Sequence, residues 1–456
     1  MKHIFADTAL LPEGWTSSVR VSVDDEGRIV SVSSGSAVDR NDERVSILLP
    51  APANIHSHAF QRAMAGLTEG RGPDASDSFW TWRKLMYKFM EQLGPDEVEA
   101  IAAFVQMEML EAGYAGSVEF HYLHHAPGGA PYAKLGELSE RIVAAAATSG
   151  IGLTLAPVLY QYGGCDQRAL NERQARFGND FSRFAKLWSE AKNSLAALPS
   201  DARMAVAPHS LRAVGLDSLA ACAALSPEDP IHIHIAEQVG EVEEVVAAWG
   251  QRPIEWLYDH QAVDARWTLI HATQMEPHET EMVAASGAVA GLCPITEANL
   301  GDGIFDGVRF INAGGTFAIG SDSNVRIALG EELRSFEYSQ RLRDKGRAML
   351  AEQGRSAGRL MLEEAARGGA RSARRDSGQI AVGKWADMFA LDGDATNLIG
   401  RNGDQILDSW IFAGDDNLVR DVWSAGRHMV REGQHVAHDA ITERYRTVMR
   451  ELTNDL

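Results

Sequence analysis

Apolar and polar positions divide the chain into three stretches. The first, to about residue 48, has a β pattern. Residues 19–23 alternate, Asp24-Asp25-Glu26-Gly27 is a turn signal, and Ile29-Val30-Ser31-Val32 resumes a strand. The middle is different. Eight short apolar runs, at 47–56, 115–121, 151–159, 204–209, 231–235, 267–271, 288–293 and 317–322, are separated by windows of helical period such as 95–110, 138–148 and 240–249. Strand-length runs alternating with helices predict parallel strands with crossover helices, and eight such units predict a (β/α)8 barrel. The last stretch returns to β, with strands expected over 386–393, 419–423 and 428–430 before a helix over 439–452. The expected fold class is therefore α/β. Residues 49–377 form a TIM-like barrel, and residues 1–48 with 378–456 pair as a small β-sandwich domain carrying the C-terminal helix.

Composition narrows what such a chain does. With 45% hydrophobic and 23% charged residues, the 456-residue chain is globular rather than disordered. Its 43 Lys+Arg against 63 Asp+Glu leave a net charge of −20. No basic stripe is present to displace counterions from phosphates, so no nucleic-acid partner is expected. Three widely spaced cysteines, Cys165, Cys222 and Cys293, make neither a disulfide framework nor a CxxC zinc site, and fit a reducing compartment. The buried-thiol reading suits Cys222 and Cys293, and neither Cys165 nor the His124-His125 pair suggests a role. The N-terminus has no signal-like apolar stretch and no run reaches 18 apolar residues. The expectation is a cytoplasmic protein with no membrane partner.

Active sites of parallel barrels lie at the C-terminal ends of the strands. The first run ends His56-Ser57-His58, and residues at i and i+2 share a strand face, so both rings can reach one metal ion. The fifth run, Ile231-His232-Ile233-His234-Ile235, repeats the spacing, and His234 is nearer the active rim. His232 is then a satisfied interior histidine. Glu237 follows at the strand terminus, where a carboxylate beside an activated water can take and return protons. The sixth run ends in His271 and the eighth in Asp322. Each residue alone is a weak signal, but His56, His58, His234, His271 and Asp322 all fall on one rim. The fourth run carries no lysine and no other candidate for the anionic group that would bridge two metals, so one metal is expected. His56, His58, His234 and Asp322 would supply three nitrogens and one oxygen with an open position, which suits zinc. Iron is the alternative.

With these residues in place, the chain resembles the amidohydrolase superfamily in its mononuclear deaminase branch. Within it, the chain is similar to the formimidoylglutamate deiminase family of bacterial histidine degradation. The resemblance rests on Leu10-Leu11-Pro12-Glu13-Gly14-Trp15, His56-Ser57-His58-Ala59-Phe60-Gln61-Arg62-Ala63-Met64 and Ser78-Phe79-Trp80-Thr81-Trp82-Arg83. It rests equally on Glu119-Phe120-His121-Tyr122, on His209-Ser210-Leu211-Arg212-Ala213-Val214 and on Thr296-Glu297-Ala298-Asn299-Leu300-Gly301-Asp302-Gly303. Gly383-Lys384-Trp385-Ala386-Asp387 is similar to the segment where such chains re-enter the small domain.

The resemblance implies a metal held by His56, His58, His234 and Asp322. It implies Glu237 as proton shuttle, with Asp322 sharing in proton transfer, and His271 stabilising the attacked centre. It implies substrate binding by Gln61, Arg83, Tyr122, His209 and Arg212. The implied reaction converts N-formimino-L-glutamate to N-formyl-L-glutamate and ammonia, and a homodimer is implied as well. A dianionic substrate meets a chain of charge −20, so local arginines must overcome the long-range field. Arg212 and Arg83 can each grip a carboxylate in two-pronged fashion. Arg212 follows the fourth rim closely, whereas Arg83 falls in an aromatic stretch that suits a lid, a dimer contact or the pocket itself. The competing readings are a deaminase of a purine, pterin or adenosyl-type substrate, cleavage of the other C–N bond to formamide and glutamate, and a barrel without catalysis that serves as a binding protein.

Overall fold

The computed structural model describes residues 1–67, 69 and 86–453. Both ends of the chain build one eight-stranded sheet. From the N-terminal end come β1 (Lys2–Leu11), β2 (Gly14–Val23), β3 (Ile29–Ser33) and β4 (Glu43–Pro50). A two-residue turn at Pro12-Glu13 joins β1 to β2, and its exit needs φ +115° at Gly14, a value that glycine adopts freely.

The parallel strands follow. They are β5 (Ala53–Ser57), β6 (Gly116–His121), β7 (Gly152–Leu159), β8 (Arg203–Met204) and β9 (Ala207–Pro208). Then come β10 (Ile231–Ile235), β11 (Trp267–His271), β12 (Val289–Leu292) and β13 (Thr316–Ile319). The chain returns to the first sheet with β14 (Met388–Leu391), β15 (Val419–Ser424), β16 (Arg427–Arg431) and β17 (Gln434–His435).

The first sheet runs β17-β16-β15-β14-β4-β1-β2-β3. The two chain ends meet where β14 pairs antiparallel with β4, Phe389 opposite Leu49. Ile4, Val19, Val21, Leu48, Met388 and Trp423 are fully buried on it. The apolar run at 47–56 is thus two strands, not one. Pro50 ends β4 and Pro52 precedes β5, and prolines lack the N–H that would continue a ladder.

β5-β6-β7-β8 form one parallel sheet, with β9 also on β7, and β10-β11-β12-β13 form another. Isolated parallel bridges tie them at both seams: Val206 to Ile231 and Ser210 to His234 on one side, Ser57 to Asp322 on the other. The result is a mixed α/β fold with a curled parallel sheet. Its strands are buried along their full length, as parallel strands covered by crossover helices are. The covering helices include Pro95–Glu111, Glu137–Ser149, Val239–Trp249 and Ala357–Ser372. Pro95 suits the first helical position, and the Glu97 carboxylate accepts the Gly94 N–H at 2.9 Å. The run at 204–209 makes only two short strands. The expected C-terminal helix spans His438–Thr453.

A buried ion cluster links the two sheets. Arg375, fully buried, donates from Nε and Nη2 to Asp387 at 2.9 Å each and from Nη1 to Asp201 at 3.0 Å. Arg427 reaches the same Asp201 at 2.8 Å. Truncating Arg375 leaves buried carboxylates uncompensated, so Arg375→Ala is expected to cost about 3–5 kcal/mol in urea unfolding. Burial raises the Asp201 pKa, but Arg375 and Arg427 outweigh it and hold the carboxyl below its ordinary value. The cluster's stabilisation is therefore complete at neutral pH and declines as pH falls below the ordinary carboxylate range.

Candidate active site

The C-terminal ends of the parallel strands bring one set of polar side chains together. Several residues of this rim sit in backbone conformations that side chains adopt reluctantly. Ala236, His271, Ala272, Asp322 and Asn324 have φ of 50°, 69°, 49°, 47° and 54°. Strain of this kind persists where the surroundings over-determine it. At Asp322 and Asn324 a buried hydrogen-bond network does so. Asn54 Nδ2 donates to Ser321 Oγ, Ser321 Oγ to Asn324 Oδ1, and Asn324 Nδ2 to Ser57 Oγ. The N–H groups of Ser321 and Asp322 both reach the His56 carbonyl. The network locks the turn carrying Asp322 onto the one carrying His56 and His58.

His56, His58, His234 and Asp322 are buried, and each offers a donor atom within 4.8 Å of the others. His58 Nε2 lies 3.2 Å and His56 Nε2 3.4 Å from Asp322 Oδ1, while the Nε2 atoms of His56 and His234 are 3.0 Å apart. His58 Nδ1 faces the Phe120 carbonyl at 2.9 Å and His234 Nδ1 the His209 carbonyl at 3.2 Å. A carbonyl only accepts, so both Nδ1 atoms carry the proton and both Nε2 lone pairs point inward. Burial lowers the pKa of all three rings, that of His56 to about 3. Burial pushes Asp322 up, but the histidines outweigh it and hold the carboxyl below its ordinary value. Three neutral imidazoles and one carboxylate converging on a point make a donor set suited to a divalent metal.

Gly320 makes this packing possible. A Cβ there would lie 2.7 Å from His56 Cβ and 2.8 Å from its nitrogen. Gly320→Ala is therefore expected to displace His56 and lower the bound metal per chain, read by elemental analysis, with the circular dichroism spectrum kept.

Beside the donor set lies a pocket lined by Glu237, His271, Gln61, Tyr122, His209 and Arg212 together with Met86, Tyr160, Phe177 and Leu300. Burial raises the Glu237 pKa and Asp322 adds to the rise. Its backbone N–H is held by the buried Glu241 carboxylate at 3.0 Å. Burial disfavours the charged His271 ring, but Glu237, Glu297 and Asp322 outweigh it, so its pKa is raised well above the ordinary value. The site thus sets a carboxyl with a raised pKa beside an imidazole with a raised pKa, next to a place where a metal fits.

Comparison with known proteins fits these features. The sequence profile described as "Amidohydrolase family" matches residues 47–429, and "Formimidoylglutamate deiminase HutF, N-terminal domain" matches residues 1–46. The chain belongs to the amidohydrolase family. This amidohydrolase is 45% identical to the formimidoylglutamate deiminase of Pseudomonas aeruginosa, over 99% of this chain and 100% of the relative. It is 26% identical to a 5-methylthioadenosine/S-adenosylhomocysteine deaminase of Halobacterium salinarum, over 98% of this chain and 96% of that one. The crystal structure of an amidohydrolase from Brucella melitensis shares 48% identity and superposes with a TM-score of 0.95, covering 99% and 100% of the two chains. An adenosine deaminase from Xanthomonas campestris with bound zinc, 21% identical, matches with a TM-score of 0.82 over 99% and 98% and shares the fold.

In this amidohydrolase the fold gathers ten of the eleven residues singled out in the sequence. Nine line the pocket, and His56 packs behind them in the donor set. Arg83 lies outside the described residues, as do Ser78, Phe79, Trp80, Thr81 and Trp82. His232 is turned away, its Nε2 donating to the Ser372 carbonyl at 2.9 Å. His124 and His125 hold loops through the carbonyls of Val158 and Gly178. The three cysteines are buried free thiols.

Sequence reasoning missed several supporting groups. Glu119, buried on β6, accepts the Ala59 N–H at 2.8 Å, and burial raises its pKa to about 8. Glu241 braces the turn before Glu237. Tyr160 packs on His209 with ring centroids 4.4 Å apart. Its place just after β7 obeys the same rim rule as the others and could have marked it. Phe177 and Met86 carry no such signal.

Proposed function

We propose that this amidohydrolase hydrolyses N-formimino-L-glutamate to N-formyl-L-glutamate and ammonia in histidine degradation. The observation that carries the reading is a pocket uniting a metal-suited donor set, the buried carboxyl of Glu237 and the guanidinium of Arg212. The full-length identity to the Pseudomonas enzyme supports the substrate. His56, His58, His234 and Asp322 hold one divalent ion, zinc by preference with iron the alternative. When bound, that ion supplies Lewis-acid chemistry and lowers the pKa of water toward neutrality.

The chain's own groups do the rest. Glu237, with Asp322 beside it, accepts a proton from the attacking water and delivers it to the imine nitrogen. His271, whose Nε2 lies 3.9 Å from Asp322 Oδ2, donates a hydrogen bond to the oxygen added at the formimino carbon. The hydroxyl proton then passes through Glu237 to the amine nitrogen, the C–N bond breaks, and ammonia leaves. Arg212, and Arg83 from its own segment, pair with the substrate carboxylates, while Gln61, Tyr122 and His209 orient the rest. Gln61 Nε2 already donates to Tyr122 Oη at 2.7 Å.

The parallel strands are read as a closed (β/α)8 barrel over 49–377. The sheet of the chain ends is read as a β-sandwich domain over 1–48 and 378–456. Bridges at both seams and the β4–β14 pairing support these bounds. A homodimer in the cytoplasm completes the proposal. Among the described residues no helix is long and apolar enough to cross a membrane.

The test follows ammonia release from N-formimino-L-glutamate by zinc-loaded protein, with products weighed by mass spectrometry. Ammonia with N-formylglutamate upholds the reading. Formamide with glutamate moves the cleaved bond, and turnover of only purine, pterin or adenosyl substrates replaces the substrate class. Exhaustive chelation is expected to remove activity completely, and stoichiometric zinc to restore it.

A further inference from the structure

We propose that Glu297 is a positioning residue that fixes the ring of His271 toward the reacting centre. The inference rests on the reading of His271 given above. Glu297 sits in the first turn of the helix Pro294–Leu300, immediately after β12. An acidic residue there ordinarily stays solvated beside the helix N-terminus. Glu297 is instead 6% exposed and reaches across to the neighbouring strand. Its Oε1 lies 3.2 Å from His271 Nδ1 and accepts the Cys293 N–H at 2.9 Å. The backbone bond anchors the carboxylate, and the anchored carboxylate holds the imidazole.

His271 needs such a hold. It is the last residue of β11, with φ +69°, so its own backbone is in a region that disfavours side chains. The ring is parallel to that of His234, 5.6 Å between centroids with planes 7° apart, and that contact does not distinguish the two ring edges, which a half-turn about Cβ–Cγ exchanges. A single bond at Nδ1 selects which nitrogen faces the pocket. With Nδ1–H directed at Glu297, Nε2 is the atom turned toward Asp322 and the substrate. The arrangement is the oriented-histidine device, in which a carboxylate behind the ring sets its direction.

The test uses the full-length zinc-loaded protein labelled with 15N-histidine. It compares wild type with Glu297→Ala, Glu297→Gln and His271→Asn. In wild type, a downfield ring N–H proton coupled to nitrogen is expected, and it should vanish in His271→Asn. Glu297→Ala should lose that resonance, and Glu297→Gln, which keeps an acceptor, should retain it at a shifted position. On N-formimino-L-glutamate, Glu297→Ala should lower kcat by about 10- to 100-fold at unchanged metal content, with little change in KM. Glu297→Gln should recover part of the loss. In a His271→Asn background, removing Glu297 should cost nothing further.

Persistence of the resonance in Glu297→Ala would overturn the proposal. So would loss of kcat only in step with loss of metal, or full additivity of the two substitutions. If wild-type protein fails to turn over this substrate, the substrate reading falls, and the resonance still decides the role of Glu297.

Discussion

Replacing Glu237 with Gln is expected to lower kcat by about 10³-fold while leaving bound metal at the wild-type level. The substitution is nearly isosteric, and the groups that place residue 237 do not depend on its carboxylate. Its backbone N–H is held by Glu241, and Ala236 N–H by the other oxygen of the same side chain at 3.1 Å. The four donor atoms of the metal-suited set belong to other residues. What is lost is a group that takes a proton from water and returns it to nitrogen twice in each cycle. An amide can do neither. Burial raises the Glu237 pKa, so the carboxyl gives up its proton less readily than an exposed glutamate, which favours its returning a proton to nitrogen. Steady-state kinetics with elemental analysis on the same preparation checks the expectation. A variant with activity near wild type would remove Glu237 from proton transfer, and one with depleted metal would make its role structural.

The rim residues were legible because the period of a parallel strand and the position of its end are local properties. His56, His58, His234, His271 and Asp322 each close an apolar run, and an alternating α/β pattern already says where such ends converge. The groups that hold them were not legible for the opposite reason. Glu119 supports Ala59, and Glu297 supports His271, through contacts between residues 60 and 26 apart in sequence. In the sequence, Glu297 is an ordinary acidic residue at a helix start, and Glu119 a polar interruption of a buried strand. Their meaning comes from the neighbour supplied by the fold.

Element boundaries failed in the same way. Residues 47–53 continue without a polar break across the end of β4 and the start of β5, so their hydrophobicity hides the passage from one sheet to another. Pro50 and Pro52 were the available signal. β1 was covered only by the general expectation of β structure, since no distinctive turn precedes it. The run at 204–209 reads as one strand, yet Val206 bridges to Ile231 while Ala205 N–H bonds back to Leu155, and the ladder is divided between two neighbours.

Arg212→Met is expected to raise KM by about a hundred-fold or more, because loss of one charge-assisted, two-pronged pair in a desolvated pocket is worth about 2–5 kcal/mol. Methionine keeps much of the arginine stem's bulk and packing, so the loss isolates the guanidinium. The protein's field makes this group decisive. At −20, the chain as a whole repels a dianion, and mobile ions screen that repulsion beyond about 8 Å at physiological salt. A guanidinium lining the pocket acts inside that distance, where its attraction is little screened. Raising the salt concentration should therefore relieve the general repulsion while leaving the contribution of Arg212 largely intact. The discriminating measurement compares N-formimino-L-glutamate with analogues in which one carboxylate at a time is a carboxamide. Wild-type protein should discriminate strongly against the analogue lacking the carboxylate that Arg212 grips, and Arg212→Met should discriminate hardly at all. An equal loss on acid and amide would mean that Arg212 shapes the pocket without reading the charge. The selection of a dianionic substrate would then fall to the segment containing Arg83.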